Sequence, residues 1–218
     1  DRKRRKRATN LSQSEVMTIL VLYHLSGYKN LKAFYLHEIL RHHSSDFPRL
    51  CSYQRFVQLQ SRCVMPLFFY LLTKLGSCTG ISFIDATPLK VCHNLRIPSH
   101  RVFRGSAERD KSSTGWYYGF KLHLAINEKG EILGFYLTSA NVDERETVDW
   151  ITQDLWGKLI GDKGYISKSL FEKLMQRGLK LITKLRKNMK NRFVEMEDKL
   201  LLRKGAIIET VNDQLKNI

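Results

Sequence analysis

The sequence predicts a mixed α/β protein in which a small all-helical region precedes a sheet covered by helices. Residues 11–80 place apolar side chains at helical spacing. Residues 81–218 show signals in the order strand, strand, strand, helix, strand, helix, strand, helix. Three consecutive strands followed by β-α units form a mixed sheet, here of five strands, because the later strands need helical crossovers.

The helical region starts with a capping box formed by Ser12 and Glu15. At this spacing the serine accepts from the N3 amide and the glutamate reaches back to the cap. The first helix is predicted to end at Gly27, the second before Pro48, and the third to run toward Pro66. Short helices with tight turns fit a helix-turn-helix DNA-binding unit and equally a bundle that only packs against the remaining chain.

The five strands are assigned to short apolar or alternating runs. They are residues 81–85, 118–127, 132–138, 158–162 and 179–183. The second run alternates clearly and places Lys121 and His123 on its polar face. Turn chemistry at 127–130 joins it to the third run as a β-hairpin. No catalytic role is assigned to His123.

The helices between and after the later strands are predicted from their caps. Asp143 with Glu146 begins one helix, and Ser167 begins the next. Gly178 is a suitable residue just past the end of the second. The last helix is predicted over 203–218, with an apolar stripe at helical spacing.

Composition restricts the partner and the class of protein. The chain has 37 Lys and Arg against 21 Asp and Glu, a net charge of +16, which favours a polyanionic partner such as nucleic acid. The longest apolar run, Val64–Leu72, is too short to cross a bilayer and contains Pro66. Four cysteines without a C-x-x-C pair argue against a zinc ribbon or redox motif and favour free thiols.

Three acidic residues are the candidates for metal-dependent chemistry. Asp85 and Asp162 each close a predicted strand, and Glu209 stands beside the apolar stripe of the last helix. Three converging carboxylates suit Mg²⁺, and two such ions about 4 Å apart support phosphoryl transfer. A strand-end Asp is also a common turn or cap residue, so the alternative of a purely structural role stays open. The rivals for the third position are Glu195, Glu197 and Asp198.

Basic residues concentrate in three stretches. Residues 1–10 form a predicted flexible arm, and 90–104 and 177–192 contain no acid. The last two adjoin the candidate acids in sequence and would draw phosphates toward them, although each also fits a solvated surface. The candidate DNA-binding residues are Arg96, Arg101, Arg104, Lys163, Lys184, Arg186, Lys187, Lys190, Arg203 and Lys216.

An ordered set of motifs resembles a known family. The motifs are Phe83-Ile84-Asp85-Ala86-Thr87-Pro88, Trp116-Tyr117-Tyr118-Gly119-Phe120-Lys121-Leu122-His123, Ala140-Asn141-Val142-Asp143-Glu144-Arg145-Glu146, Gly161-Asp162-Lys163-Gly164-Tyr165 and Ile208-Glu209-Thr210-Val211-Asn212. They resemble bacterial insertion-sequence transposases of the D-D-E type, and the chain is most similar to insertion-sequence family nine-eight-two.

The resemblance implies an RNase H-like catalytic core over 81–218, truncated at its C-terminus, with Asp85, Asp162 and Glu209 as the metal-binding triad. It further implies two Mg²⁺ ions, for which Mn²⁺ can substitute, and double-stranded DNA as partner. The expected reaction is cleavage at the element's terminal repeats and strand transfer into target DNA. The expected protein is a homodimer on DNA, in the bacterial cytoplasm and associated with the nucleoid.

Two departures from the family leave alternatives open. Family members often carry an Arg four residues before the catalytic Glu and a Lys seven after it. Lys216 matches the second position, whereas Gly205 occupies the first, with Arg203 and Lys204 nearby. The chain also starts without Met and ends inside a predicted helix, as expected of a fragment. The alternatives are a catalytically inactive truncated transposase that only binds DNA and, more weakly, a host nuclease of the same fold.

Overall fold

The computed structural model describes residues 11–112, 114–184 and 195–216. The chain forms two compact units, Asp1–Lys74 and Leu75–Ile218. The predicted basic arm, residues 1–10, lies outside the described residues, as do Arg186, Lys187 and Lys190. No described helix is long and apolar enough to cross a membrane. All four cysteines are free thiols, as predicted.

The first unit is built from short helices around an aromatic core. The helices are α1 (Gln13–Leu25), α2 (Leu31–Phe34), a π-helical turn (Tyr35–Ile39), α3 (Leu40–His42), α4 (Tyr53–Gln60) and α5 (Val64–Leu72). The predicted capping box is confirmed, with Ser12 N donating to Glu15 Oε2 and Glu15 N donating to Ser12 Oγ. Tyr35 stacks on Phe56 with ring centroids 4.5 Å apart, and its buried ring anchors the core.

The second unit contains one mixed sheet of six strands. The strands are β1 (Ile81–Cys92), β2 (Glu108–Ser112), β3 (Gly115–Asn127), β4 (Ile132–Ser139), β5 (Gly157–Gly161) and β6 (Leu179–Thr183). Their order is β2-β3-β1-β5-β6, with β4 also paired to β3. β1, β5 and β6 run parallel, whereas the pairs of β3 with β1, β2 and β4 are antiparallel.

The prediction of five strands is corrected by β2. This strand pairs with residues 115–119 of β3, and β4 pairs with residues 120–126. β2 has the sequence Glu-Arg-Asp-Lys-Ser and lacks apolar alternation, so periodicity could not detect it. Its position is fixed by backbone pairing to a long neighbouring strand, which is a tertiary contact.

Helices cover both faces of the sheet. On one face, α6 (Glu144–Ile151) and α7 (Lys168–Gln176) pack on a core that includes Ile84 and Ala125. On the other face, α8 (Met196–Lys204) and α9 (Ala206–Lys216) pack on a core that includes Phe83 and Leu124. Neighbouring residues of one strand thus point into opposite cores.

The predicted caps of α6 and α7 are confirmed. Asp143 accepts from Arg145 N, Ser167 accepts from Leu170 N, and Gly178 has a positive φ of 77° after α7. The prediction of one helix over 203–218 is wrong at its start, because α8 begins at Met196 and the two helices are divided at Gly205.

The prediction that His123 lies on a polar face is also wrong. His123 is fully buried, and its ring nitrogens lie 2.9 Å from Thr138 Oγ1 and 3.1 Å from Thr147 Oγ1. Burial, aided by the charge of Lys121, lowers the pKa of His123 to about 4, so the ring is neutral near pH 7. Alternation along a strand assigns side chains to the two faces of the sheet, but it does not show that α6 covers the face that carries the polar residues.

Candidate active site

Asp85 and Asp162 lie at matching positions of two adjacent parallel strands. Phe83 on β1 pairs with Ile160 on β5, and each acid stands two residues further along the chain. β5 stops at Gly161, so Asp162 stands at the end of its strand, one residue past the last paired position. β1 instead continues beyond Asp85 because it pairs with β3. Asp85 is therefore interior to its strand, and the prediction that it ends a strand is wrong.

Asp162 has a local structural role as well as its place at the sheet edge. Its Oδ1 accepts a hydrogen bond from Gly164 N at 2.6 Å and caps a short 3-10 turn, Lys163–Tyr165. Asp162 thus combines the two roles considered from the sequence, a capping residue and an acid at the end of a strand. The side chain stays exposed, so its second oxygen is accessible.

Helix α9 brings the third acid to the same place. Ile208 and Asn212, four residues apart, form the buried stripe of α9. Asn212 Nδ2 donates to Asp85 Oδ2 at 2.8 Å, which ties the helix to β1. Glu209 follows Ile208 directly and lies at the exposed border of that stripe.

These three acids line one cleft of about 630 Å³, here called the acid cleft. Its cationic lining consists of Lys163, Lys184 and Arg203. Lys216 lines a neighbouring cleft of about 850 Å³, here called the lysine cleft, which it shares with Lys90, Lys111 and Lys121. Asp162 lines both clefts and stands where they adjoin.

The remaining candidate cations lie elsewhere. Arg96, Arg101 and Arg104 are exposed in the connection between β1 and β2 and line neither cleft. Arg96 belongs to a 3-10 segment, Asn94–Ser99, and the other two follow it. Their sequence proximity to Asp85 therefore does not place them in the acid cleft.

The electrostatics of the acid cleft are those of crowded carboxylates. Burial, together with the charges of Asp162 and Glu209, raises the pKa of Asp85 to about 6. Hydrogen bonds from Ala86 N and Asn212 oppose this rise. A cation placed among the acids would relieve their repulsion and favour the ionised form.

Glu144 is a further acid that sequence reasoning missed. Burial raises its pKa to about 7, with the charges of Asp162 and Asp85 adding to the effect and Lys121 opposing it. In the sequence it is one of several acids at the start of α6. Their spacing does not show which side chain points toward Asp162. Asp143 is instead held by the guanidinium of neighbouring Arg145.

Gly164 lies where Glu144 and Asp162 approach each other. A Cβ at position 164 would lie 2.8 Å from Glu144 Oε2 and 2.9 Å from Asp162 Oδ1. Both atoms are the ends of flexible side chains and the φ of Gly164 is not positive, so a larger residue would displace these carboxylates without straining the backbone. Beneath them, the buried Tyr165 hydroxyl has no hydrogen-bond partner in the described part of the chain.

The three rival acids are engaged elsewhere. Asp198 is buried and accepts from Lys158 Nζ and Lys180 Nζ, each at 2.8 Å. Glu197 and Glu195 pair with the same two lysines. Lys158 and Lys180 lie near the amino ends of β5 and β6, at the opposite end from Asp162. Buried Asp198 thus ties α8 to the sheet, whereas Glu195 and Glu197 form exposed ion pairs.

Comparison with known families decides the identity of the second unit. Residues 75–218 match the family model of the transposase DDE domain. The chain belongs to this family. The mixed sheet of this DDE transposase domain, with helices on both faces, is consistent with an RNase H-like core. No curated protein matches the chain significantly.

One solved transposase structure shares the fold of this chain. The piggyBac transposase synaptic complex with hairpin DNA has a TM-score of 0.52 and 14% identity, covering 86% of this chain and 46% of that chain. This likeness concerns the fold, and the DDE transposase chain described here spans less than half the length of that relative. The Mos1 strand transfer complex gives a TM-score of 0.30 at 10% identity, covering 100% of this chain and 81% of that chain.

Proposed function

We propose that the chain is the transposase of a bacterial insertion sequence, most similar to family nine-eight-two. It cleaves DNA at the ends of its own element and joins the freed 3′-hydroxyl to target DNA. The observation that carries the proposal is the acid cleft, where Asp85, Asp162 and Glu209 meet beside Lys163, Lys184 and Arg203. Membership in the DDE family gives this cleft its most direct interpretation.

The donor atoms of the acid cleft fit a hard divalent cation. Carboxylate oxygens are the preferred ligands of Mg²⁺ and Mn²⁺. Burial and the neighbouring acids raise the pKa of Asp85, and a bound cation would favour its ionised form. Within residues 11–112, 114–184 and 195–216, no three candidate ligand side chains are close enough to share an ion. Asp162 and Glu209 are exposed, and binding of an ion requires their side chains to turn toward Asp85.

The proposed ligands of two Mg²⁺ ions are therefore Asp85, Asp162 and Glu209. When bound, such ions supply Lewis-acid activation of the nucleophile and stabilise the leaving oxygen of a phosphodiester. The protein's own part is to hold its carboxylates on a rigid sheet and a packed helix. Rigid placement matters because phosphoryl transfer needs an aligned nucleophile and leaving group.

The cations position the DNA. Lys163, Lys184 and Arg203 stand beside the acids, where they offset carboxylate repulsion of the phosphates. Phosphate contacts of this kind fix the register of DNA without reading its sequence. We propose as additional DNA contacts the remaining sequence candidates, which are Arg96, Arg101, Arg104, Arg186, Lys187, Lys190 and Lys216.

Three further features belong to this proposal. The protein works as a homodimer on double-stranded DNA. Its helical first unit contributes to recognition of the terminal repeats. It acts in the bacterial cytoplasm, at the nucleoid. The dimer and the location are inferred from the family resemblance, the recognition role from the short helices and tight turns of the first unit, and DNA as partner also from the net charge of +16.

The test is a cleavage and strand-transfer assay with the full chain and the element's own terminal repeats. Asp85→Asn and Asp162→Asn should each abolish Mg²⁺-dependent cleavage and leave DNA binding in EDTA intact, because the amide keeps the shape but loses the charge. Asp213→Asn, on the exposed side of α9, is the matched control and should cleave normally. Undiminished cleavage by both variants would contradict the assignment.

The same assay separates the alternatives. An inactive DNA-binding remnant would show no cleavage by the unmodified chain, and a host nuclease would hydrolyse DNA without strand transfer. The presence of all three acids in one cleft favours an active enzyme over the remnant, and strand transfer then distinguishes a transposase from a nuclease of the same fold.

A further inference from the structure

Asn212 occupies an unusual position for a neutral polar residue. It is 3% exposed, lies on the inward stripe of α9, and donates from Nδ2 to Asp85 Oδ2 at 2.8 Å. The two residues are 127 positions apart in the chain, so the bond joins elements that only tertiary folding brings together.

The other half of the Asn212 amide is left without a partner. Its Oδ1 is buried and makes no hydrogen bond in the part of the chain that the structure describes. The reverse orientation of the amide would set Oδ1 against Asp85 Oδ2, two acceptors facing each other. In the observed orientation Asn212 Nδ2 donates to Asp85, and Asn212 Oδ1 remains without a hydrogen bond.

The same bond also fixes the third acid. Glu209 and Asn212 are three residues apart and lie on neighbouring positions of one helix face. A bond from Asn212 to β1 sets both the rotation of α9 about its axis and its height along the strand. Glu209 is thereby held at the border of the acid cleft that contains Asp85.

We propose that Asn212 is a positioning residue for the metal site. It donates to Oδ2 of Asp85, which fixes the orientation of that carboxylate, and it holds α9 where Glu209 can bind the same ion. This inference rests on the proposed function. A neutral donor suits the place, because a lysine would compete with the cation for Asp85 and an aspartate would add a further negative charge.

The test is the affinity of the full chain for Mn²⁺, measured by electron paramagnetic resonance without DNA. Asn212→Leu has a similar shape but lacks the donor, and it should weaken Mn²⁺ binding about 10- to 100-fold, as loss of an outer-shell partner does. DNA affinity in EDTA and the unfolding midpoint in EDTA should stay near wild-type values. The control is Thr210→Leu on the exposed side of α9, which should bind Mn²⁺ normally.

A double-mutant cycle distinguishes positioning from a general packing role. If Asn212 acts through Asp85, the effect of Asn212→Leu should fall to less than about twofold in an Asp85→Asn background. Equal weakening in both backgrounds overturns the proposal. Should the leucine variant not fold, Asn212→Ala removes the donor without overpacking and is held to the same criterion.

The outcomes for the inference and for the proposed function can be told apart. Normal Mn²⁺ binding by Asn212→Leu, with weakened binding by Asp85→Asn, overturns the inference alone. Unchanged Mn²⁺ binding by Asp85→Asn overturns the proposed metal site, and the role of Asn212 falls with it.

Discussion

Single residues of the acid cleft show the effect of crowding carboxylates on a partly buried surface. The pKa values of Asp85 and Glu144 are raised to about 6 and about 7, in each case mainly by burial and further by neighbouring acids. Such shifts mean that the folded protein resists ionisation of these groups. They also make the metal-free protein sensitive to pH near neutrality.

The first prediction at this scale concerns Glu144→Gln. A carboxyl group with a raised pKa contributes stability that is present below its unfolded value of about 4.5 and is lost as pH rises through its folded value of about 7. Near pH 8 in EDTA, the variant should therefore have a free energy of unfolding about 2 kcal/mol above that of the wild type, after a discount for solvent screening. Near pH 4 the two should be equal. Urea unfolding across this range measures the difference.

The control for that prediction is Glu146→Gln. Glu146 lies in the same first turn of α6 but is exposed. Its removal tests the contribution of a negative charge at a helix N-terminus, which is small. A similar gain in stability for both variants at pH 8 would show that the position of Glu144 among the acids is not the cause.

At the scale of elements, α8 is held on the sheet by one buried carboxylate. Burial raises the pKa of Asp198, but hydrogen bonds from Lys158 and Lys180 outweigh it, and the pKa is lowered. The lysines come from adjacent strands, β5 and β6, and pair in register. The fixed position of α8 in turn sets where α9 begins, since only Gly205 separates them.

Asp198→Asn should therefore destabilise the second unit. We expect a loss of about 2–3 kcal/mol at pH 7, below the range for a fully buried pair because the lysines are partly exposed. A lowered pKa contributes stability above pH 4 that is lost in acid, so the deficit should shrink as pH falls below about 4. Guanidinium unfolding at both pH values measures it.

Glu197→Gln is the matched control for this element. Glu197 pairs with the same Lys158, but 83% of its side chain is exposed. Its substitution should cost about 0.5 kcal/mol or less. Equal losses for the two variants would show that the buried bridge does not hold α8.

At the scale of the whole molecule, part of the charge of +16 lies beside the acids. Lys163, Lys184 and Arg203 share the acid cleft, and Lys216 stands in the adjoining one. Gly205, which lines the acid cleft, takes the position where related transposases often have Arg. The backbone there is right-handed helical, so a larger side chain meets no conformational strain.

Gly205→Arg should therefore strengthen binding to DNA. One added phosphate contact should make the plot of log affinity against log salt concentration steeper by about 0.9. Fluorescence anisotropy over a salt series measures the slope. The control is Thr210→Arg, which adds the same charge on an exposed side of α9 outside both clefts. An equal change for both would mean that net charge, and not the cleft, governs affinity.

Local patterns were sufficient for much of the second unit. Caps at Asp143 and Ser167, the hairpin of β3 and β4, and all five predicted strands depend on neighbours in sequence, and each is present. β2 was missed because it is stabilised by pairing with β3 and carries no pattern of its own. The candidates Asp85, Asp162 and Glu209 could be named from strand order and motif, since parallel strands place such residues at one edge.

The sequence by itself thus determined which acids to consider and the family in which to place them. Only the tertiary structure decided which neighbours those acids have. It turned Glu144 inward beside Asp162, set the Asn212 amide on Asp85, and buried His123 between two threonines. The physical reason is that periodicity describes one element at a time, whereas burial and hydrogen bonding depend on the element packed against it.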